Sequence, residues 1–147
     1  MHKLTIIVFA IGVLGLLVLA GCSNNSLNPA SGNIVQTTLQ ELETKSTGST
    51  GMGDVLVELT PHGVTDGKLE IDIAVNTHSV TLSDFDLKEI TTLEFGGKVI
   101  KPTEAPNLAG HHSSGTLVFD VEGNIDAYTI TIVGIPKVEQ RTFTWGS

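Results

Sequence analysis

Leu69-Glu70-Ile71-Asp72-Ile73-Ala74-Val75-Asn76-Thr77-His78 is the stretch that decides the fold. Leu69, Ile71, Ile73, Val75 and Thr77 alternate with Glu70, Asp72, Ala74, Asn76 and His78. A period of two puts one set on each side of a pleated strand, one face apolar and the other largely polar. Upstream, Val55, Val57 and Leu59 alternate in the same way before Thr60-Pro61-His62-Gly63, which reads as a turn. Downstream, Leu117, Phe119 and Val121 precede Glu122-Gly123-Asn124, and Tyr128, Ile130 and Ile132 run into Gly134-Ile135-Pro136. Gln140 to Trp145 forms a last strand burying Phe143 and Trp145. Lys88 to Phe95, Gly96-Gly97 and Lys98 to Lys101 read as a hairpin.

Outside the N-terminal apolar run, no window carries a helical period. About seven short strands punctuated by turn residues predict an all-β fold: a single antiparallel β-sandwich, immunoglobulin-like, over residues 54–147. The acidic loop Ser83-Asp84-Phe85-Asp86 is placed to cross from one sheet to the other. With one Trp and five Phe in the whole chain, the core is aliphatic. Trp145 and Phe143 should therefore contribute disproportionately to it.

Ahead of this domain the composition changes twice. Met1-His2-Lys3 carries one fixed positive charge, and Leu4 to Ala20 is apolar apart from Thr5. The run ends in Leu19-Ala20-Gly21-Cys22, which resembles the lipobox of bacterial lipoproteins. The resemblance implies a signal peptide over residues 1–21, cleavage before Cys22 and a diacylglyceryl group on the Cys22 thiol. Lipid chains contribute about 0.8 kcal/mol per buried CH₂, so two or three together hold a protein stably on a membrane. Ser23 stands where an Asp would retain such proteins in the inner membrane, so a cell with two membranes would carry this one in the outer membrane. Residues 22–53 then read as a tether rich in Ser, Thr, Gly and Asn. As a coil, about 30 residues reach near 30 Å.

Charge and cysteine content exclude several functions. The chain has 8 Lys and Arg against 16 Asp and Glu, and loss of residues 1–21 removes Lys3, making the balance more acidic. Such a surface offers no attraction to phosphate backbones, so nucleic acid is not expected as a partner. Cys22 is the only cysteine, which excludes a disulfide framework and any thiolate-based metal centre inside the domain.

What remains for chemistry is imidazole. His111 and His112 lie together in Leu108-Ala-Gly-His-His-Ser-Ser-Gly115, and His78 ends the Leu69 strand. Loops of a sandwich cluster at two poles, which can bring His78 and the His111/His112 pair together. Two or three imidazoles completed by Asp84, Asp86 or water suit Cu(II) or Zn(II). Binding then fades below about pH 6.5, because only neutral imidazole ligates. The alternative is structural, with the histidines organising a tight Gly/Ser turn; adjacent strand residues point to opposite faces and rarely share one ion.

Thr77-His-Ser-Val-Thr-Leu82, Gly110-His-His-Ser-Ser-Gly-Thr-Leu-Val-Phe119 and Glu139-Gln-Arg-Thr-Phe-Thr-Trp145 together resemble an uncharacterised group of exported prokaryotic β-domains. Thr81 and Ser113 stand where that group is expected to have Asp and Arg. The resemblance implies the domain boundary and the choice of histidines, and no activity. There is no Gly-x-Ser-x-Gly elbow, no His-Glu-x-x-His and no phosphate loop. Ser113 and Ser114 beside His112 have no orienting carboxylate, and Asp84-x-Asp86 falls short of a calcium site. Glu58, Glu70 and Asp72 read as a solvated strand face.

The expectation is therefore a membrane-anchored, extracytoplasmic binding or accessory lipoprotein, not an enzyme, with copper or zinc as its candidate cofactor. The other open reading is a non-catalytic protein-interaction or envelope-structural domain with an envelope protein as partner.

Overall fold

The computed structural model describes residues 43–146. The signal segment, Cys22 and the tether up to residue 42 lie outside the described residues. Eight strands form two antiparallel sheets: β1 Lys45–Thr47, β2 Leu56–Thr65, β3 Lys68–Asn76, β4 Thr91–Phe95, β5 Lys98–Ile100, β6 His112–Asp120, β7 Tyr128–Val133 and β8 Gln140–Trp145. One sheet has the order β1-β2-β3-β6 and the other β5-β4-β7-β8. With β1 set aside, the two sheets are A-B-E and C′-C-F-G of an immunoglobulin-like sandwich. On the far side of β6, where that arrangement has strand D, there is a single bridge between Glu104 and Val118.

The alternation read from β3 is what builds the core. Leu69, Ile71, Ile73 and Val75 are buried, and Val57, Leu59, Leu117 and Phe119 join them from the neighbouring strands. Leu93, Ile130, Ile132, Phe143 and Trp145 face them from the second sheet. Trp145 stacks on Tyr128 at 5.4 Å and on Phe143 at 6.3 Å between ring centroids. The Ser83–Asp86 segment does cross between the sheets, with a short 3-10 helix at Leu82–Asp84.

Three details correct the sequence reading. The turn expected at Thr60–Gly63 is a β-bulge: Pro61 pairs with Ile71 and Gly63 with Glu70, leaving His62 as the extra residue. A bulge tolerates proline, which cannot donate to the ladder. The strand instead continues to Asp66-Gly67, where φ is positive at both residues and the two-residue turn follows the strands' twist. The strand expected from Lys88 begins only at Thr91. Asp86 accepts the Lys88 N–H at 2.9 Å and caps one helical turn, α1 Leu87–Ile90.

The domain also starts earlier than residue 54, so the expected tether is too long at its C-terminal end. Lys45, Ser46 and Thr47 pair with Leu59, Glu58 and Val57. The Trp145 indole N–H donates to the Glu43 carbonyl at 2.8 Å. At Gly48 the chain turns so close to β2 that a Cβ would collide with the Val55 carbonyl oxygen. β1 is thus a strand made by an available sheet edge, not by the propensity of Lys-Ser-Thr.

Arg141 is the one buried charged residue among those described, 1% exposed and on the same inward face as Phe143 and Trp145. Its guanidinium donates to the carbonyls of Ile135, Pro136, Val138 and Val55 at 2.7–3.1 Å. These bonds clasp the β7–β8 loop to the start of β2, which offsets much of the desolvation that burial of the charge costs. Burial lowers the Arg141 pKa, and Asp54 at 3.8 Å opposes that shift.

Candidate functional site: the histidine pole

Register explains which histidines meet. Asn76, the last residue of β3, is the cross-strand partner of His112, the first residue of β6. One step further out, the Thr77 N–H donates to the His111 carbonyl at 2.9 Å. His78, His111 and His112 are therefore at one pole, and all three are exposed. The rings of His78 and His112 lie 6.1 Å apart between centroids, at an interplanar angle of 82°.

His112 is oriented by its neighbour. Its Nδ1 lies 2.8 Å from the Asn76 Oδ1. An amide oxygen only accepts, so Nδ1 carries the proton of this bond, and in the neutral ring Nε2 is left as the acceptor. The loop that presents His78 is held just as firmly. Thr77 is fully buried; its hydroxyl donates to the Asp54 carbonyl at 2.8 Å and accepts the N–H groups of Ser79 and Val80. Ser79 in turn accepts the Gly53 N–H at 2.7 Å, which ties the 49–54 turn to the His78 loop. Asp54 fixes that turn by accepting from Ser49 Oγ and the Val55 N–H, and these bonds hold its carboxyl below the usual range.

The remaining candidates are placed differently. Asp84 is exposed in the 3-10 helix, and Asp86 is engaged as the cap of α1. Among the described residues, no three His, Cys, Asp or Glu side chains come together so as to hold one metal ion. Of the residues singled out from sequence, His78 and His112 are thus the pair whose rings approach. Ser113 accepts the Ala109 N–H at 3.3 Å and serves the turn.

A second polar locus went unread in the sequence. On the outer face of the first sheet, His62 Nε2 lies 2.8 Å from Asp72 Oδ2, and the Thr116 hydroxyl donates to Asp72 Oδ1 at 2.9 Å. The His62 hydrogen bond is the larger cause of a lowered Asp72 pKa, and Thr116 adds to it. Beside them runs an open groove of about 390 Å³ with Glu58, Thr60, Ala74, Ser114 and Gly115 along it. His62 continues the outward alternation of Glu58 and Thr60, which is visible only once β2 is seen to run on through Pro61.

No helix among the described residues is long and apolar enough to cross a membrane. Comparison with models of protein families, with curated proteins and with solved structures found no match for this chain.

Proposed function

We propose that this chain is an extracytoplasmic lipoprotein, held on a membrane by lipid on Cys22, whose sandwich is a non-catalytic binding or accessory module taking Cu(II) or Zn(II) through His78 and His112. The observation that carries the metal reading is the 6.1 Å separation of those two rings, with His112 already oriented by Asn76. Metal–imidazole bonds are roughly 2.0–2.1 Å, so two imidazoles sharing one ion have centroids about 5–6.5 Å apart, depending on the angle at the metal. A ligating histidine usually donates its other ring N–H to an oxygen, as His112 does to Asn76, which fixes the ring's orientation. Water or a donor from an envelope partner completes the coordination.

The placement suits a tethered module. Arg141, at the start of β8, joins the histidine end of the sandwich through Val55, whereas Trp145 closes the other end of β8 beside Glu43. Glu43, the first described residue, therefore lies beside the end of β8 remote from the histidines. In a cell with two membranes the outer membrane is the proposed location.

The groove on the outer face favours a second reading, a protein-interaction or envelope-structural domain in which the histidines only close the β3–β6 ladder. Titration of the lipid-free chain with Cu(II) and Zn(II), beside the His78→Ala and His112→Ala variants, separates the two. Saturable one-to-one binding lost in both variants supports the metal reading. Binding indistinguishable from the variants leaves the interaction domain.

A further inference from the structure

We infer that Met52 is the third ligand of this pole and that, with it, the site takes Cu(I) as well as Cu(II). The inference rests on the His78–His112 reading and names the metal that reading leaves open. Met52 is the only methionine besides Met1, and it is 91% exposed, the most exposed large apolar side chain among the described residues. It occupies the second position of a turn closed by the Asp54 N–H on the Gly51 carbonyl at 2.9 Å. An apolar side chain there buries nothing, so core packing does not account for it.

Its neighbour connects it to the histidines. The Gly53 N–H donates to Ser79 Oγ at 2.7 Å, and Ser79 follows His78 in the chain. Ordinary bond lengths then hold the Cα atoms of Met52 and His78 within about 11 Å of each other. A Met and a His side chain, with one metal bond each, together span roughly 13 Å. Met52 and His78 are both exposed.

The donor set then selects the ion. A thioether is a soft ligand suited to Cu(I), while imidazole suits copper in either oxidation state and zinc as well. Two imidazoles alone discriminate poorly between Cu(II) and Zn(II). Adding the Met52 sulfur gives a three-donor set that Cu(I) accepts and Zn(II) gains little from.

The test uses the full-length chain in detergent micelles, titrated with Cu(I) against a bicinchoninate competitor and separately with Cu(II) and Zn(II). Met52→Leu should weaken Cu(I) binding at least tenfold and change Cu(II) and Zn(II) binding less than twofold. X-ray absorption of the Cu(I) form should show one sulfur at about 2.3 Å that disappears in the variant. An unchanged Cu(I) affinity in Met52→Leu, with His78→Ala still abolishing metal binding, overturns the Met52 assignment and leaves the two-histidine site standing. If none of the three ions binds more tightly to the wild-type chain than to His78→Ala, both fall together.

Discussion

His78 and His112 stand 6.1 Å apart because Asn76 and His112 are paired across β3 and β6. The same pairing puts the Asn76 amide oxygen 2.8 Å from Nδ1 of His112, so one cross-strand contact both positions a ring and fixes its tautomer. Asn76→Ala should therefore keep the fold and cost about 10–100-fold in Cu(II) affinity, the usual effect of losing the group that orients a ligand. Circular dichroism checks the fold and calorimetric titration the affinity; unchanged affinity would remove Asn76 from the account.

How much of this pole could be read from sequence follows from the range of each interaction. Alternation is local, so β3, β6, β7 and β8 were legible from Leu69, Leu117, Tyr128 and Phe143 outward. The pairing of Asn76 with His112 spans two strands distant in sequence, and only the assembled ladder reveals it. Pro61 and Gly63 signal an interruption without saying whether the chain reverses or bulges, and that hid the contact of His62 with Asp72. Arg141 follows the inward alternation of β8, but its charge argues against burial until the four carbonyls around it are in place. β1 could not be foreseen, because Lys45-Ser46-Thr47 pairs only where the edge of β2 is open.

Arg141→Ala should destabilise the domain by about 3–5 kcal/mol, because it strands four carbonyl acceptors and removes a large buried side chain. Arg141→Met should cost less, since it keeps the volume. Urea unfolding followed by Trp145 fluorescence measures both, and equal stability of wild type and Arg141→Ala would contradict the clasp.

Trp145 carries much of the opposite end. Truncation to Ala should cost on the order of 3–5 kcal/mol, through lost packing on Tyr128 and Phe143 and the lost bond to Glu43. Trp145→Phe keeps most of the packing and should lose only about 1 kcal/mol for the hydrogen bond. Thermal melting that leaves Trp145→Ala unshifted would place the ring outside the core.

Tyr128 offers the reverse case. Its hydroxyl is buried without a partner among the described residues, and burial pushes its pKa up. Tyr128→Phe removes that unpaired group and keeps the ring stacked on Trp145, so it should raise stability by about 1 kcal/mol. A clear loss of stability on urea unfolding would mean that the hydroxyl is bonded after all.

Acid should weaken the fold through Asp54 and Asp72, whose usual pKa of 3.8 is lowered, at Asp54 chiefly by the Ser49 hydroxyl and at Asp72 chiefly by His62. A carboxyl with a depressed folded pKa contributes stability that is present above its unfolded value and lost as pH falls through the folded one. The loss therefore belongs below about pH 4. Asp72→Asn should flatten that limb of the stability profile, and a limb of unchanged slope would show that the pairing with His62 adds nothing.

The most direct measurement is nitrogen-15 NMR of the imidazole rings while Zn(II) is added to the lipid-free chain at pH 7.5. Saturable shifts are expected at Nε2 of His78 and His112 together, with His62 unmoved and the His112 Nδ1 proton retained. Absence of any saturable shift, or shifts that leave His78 or His112 out, would contradict the two-imidazole site.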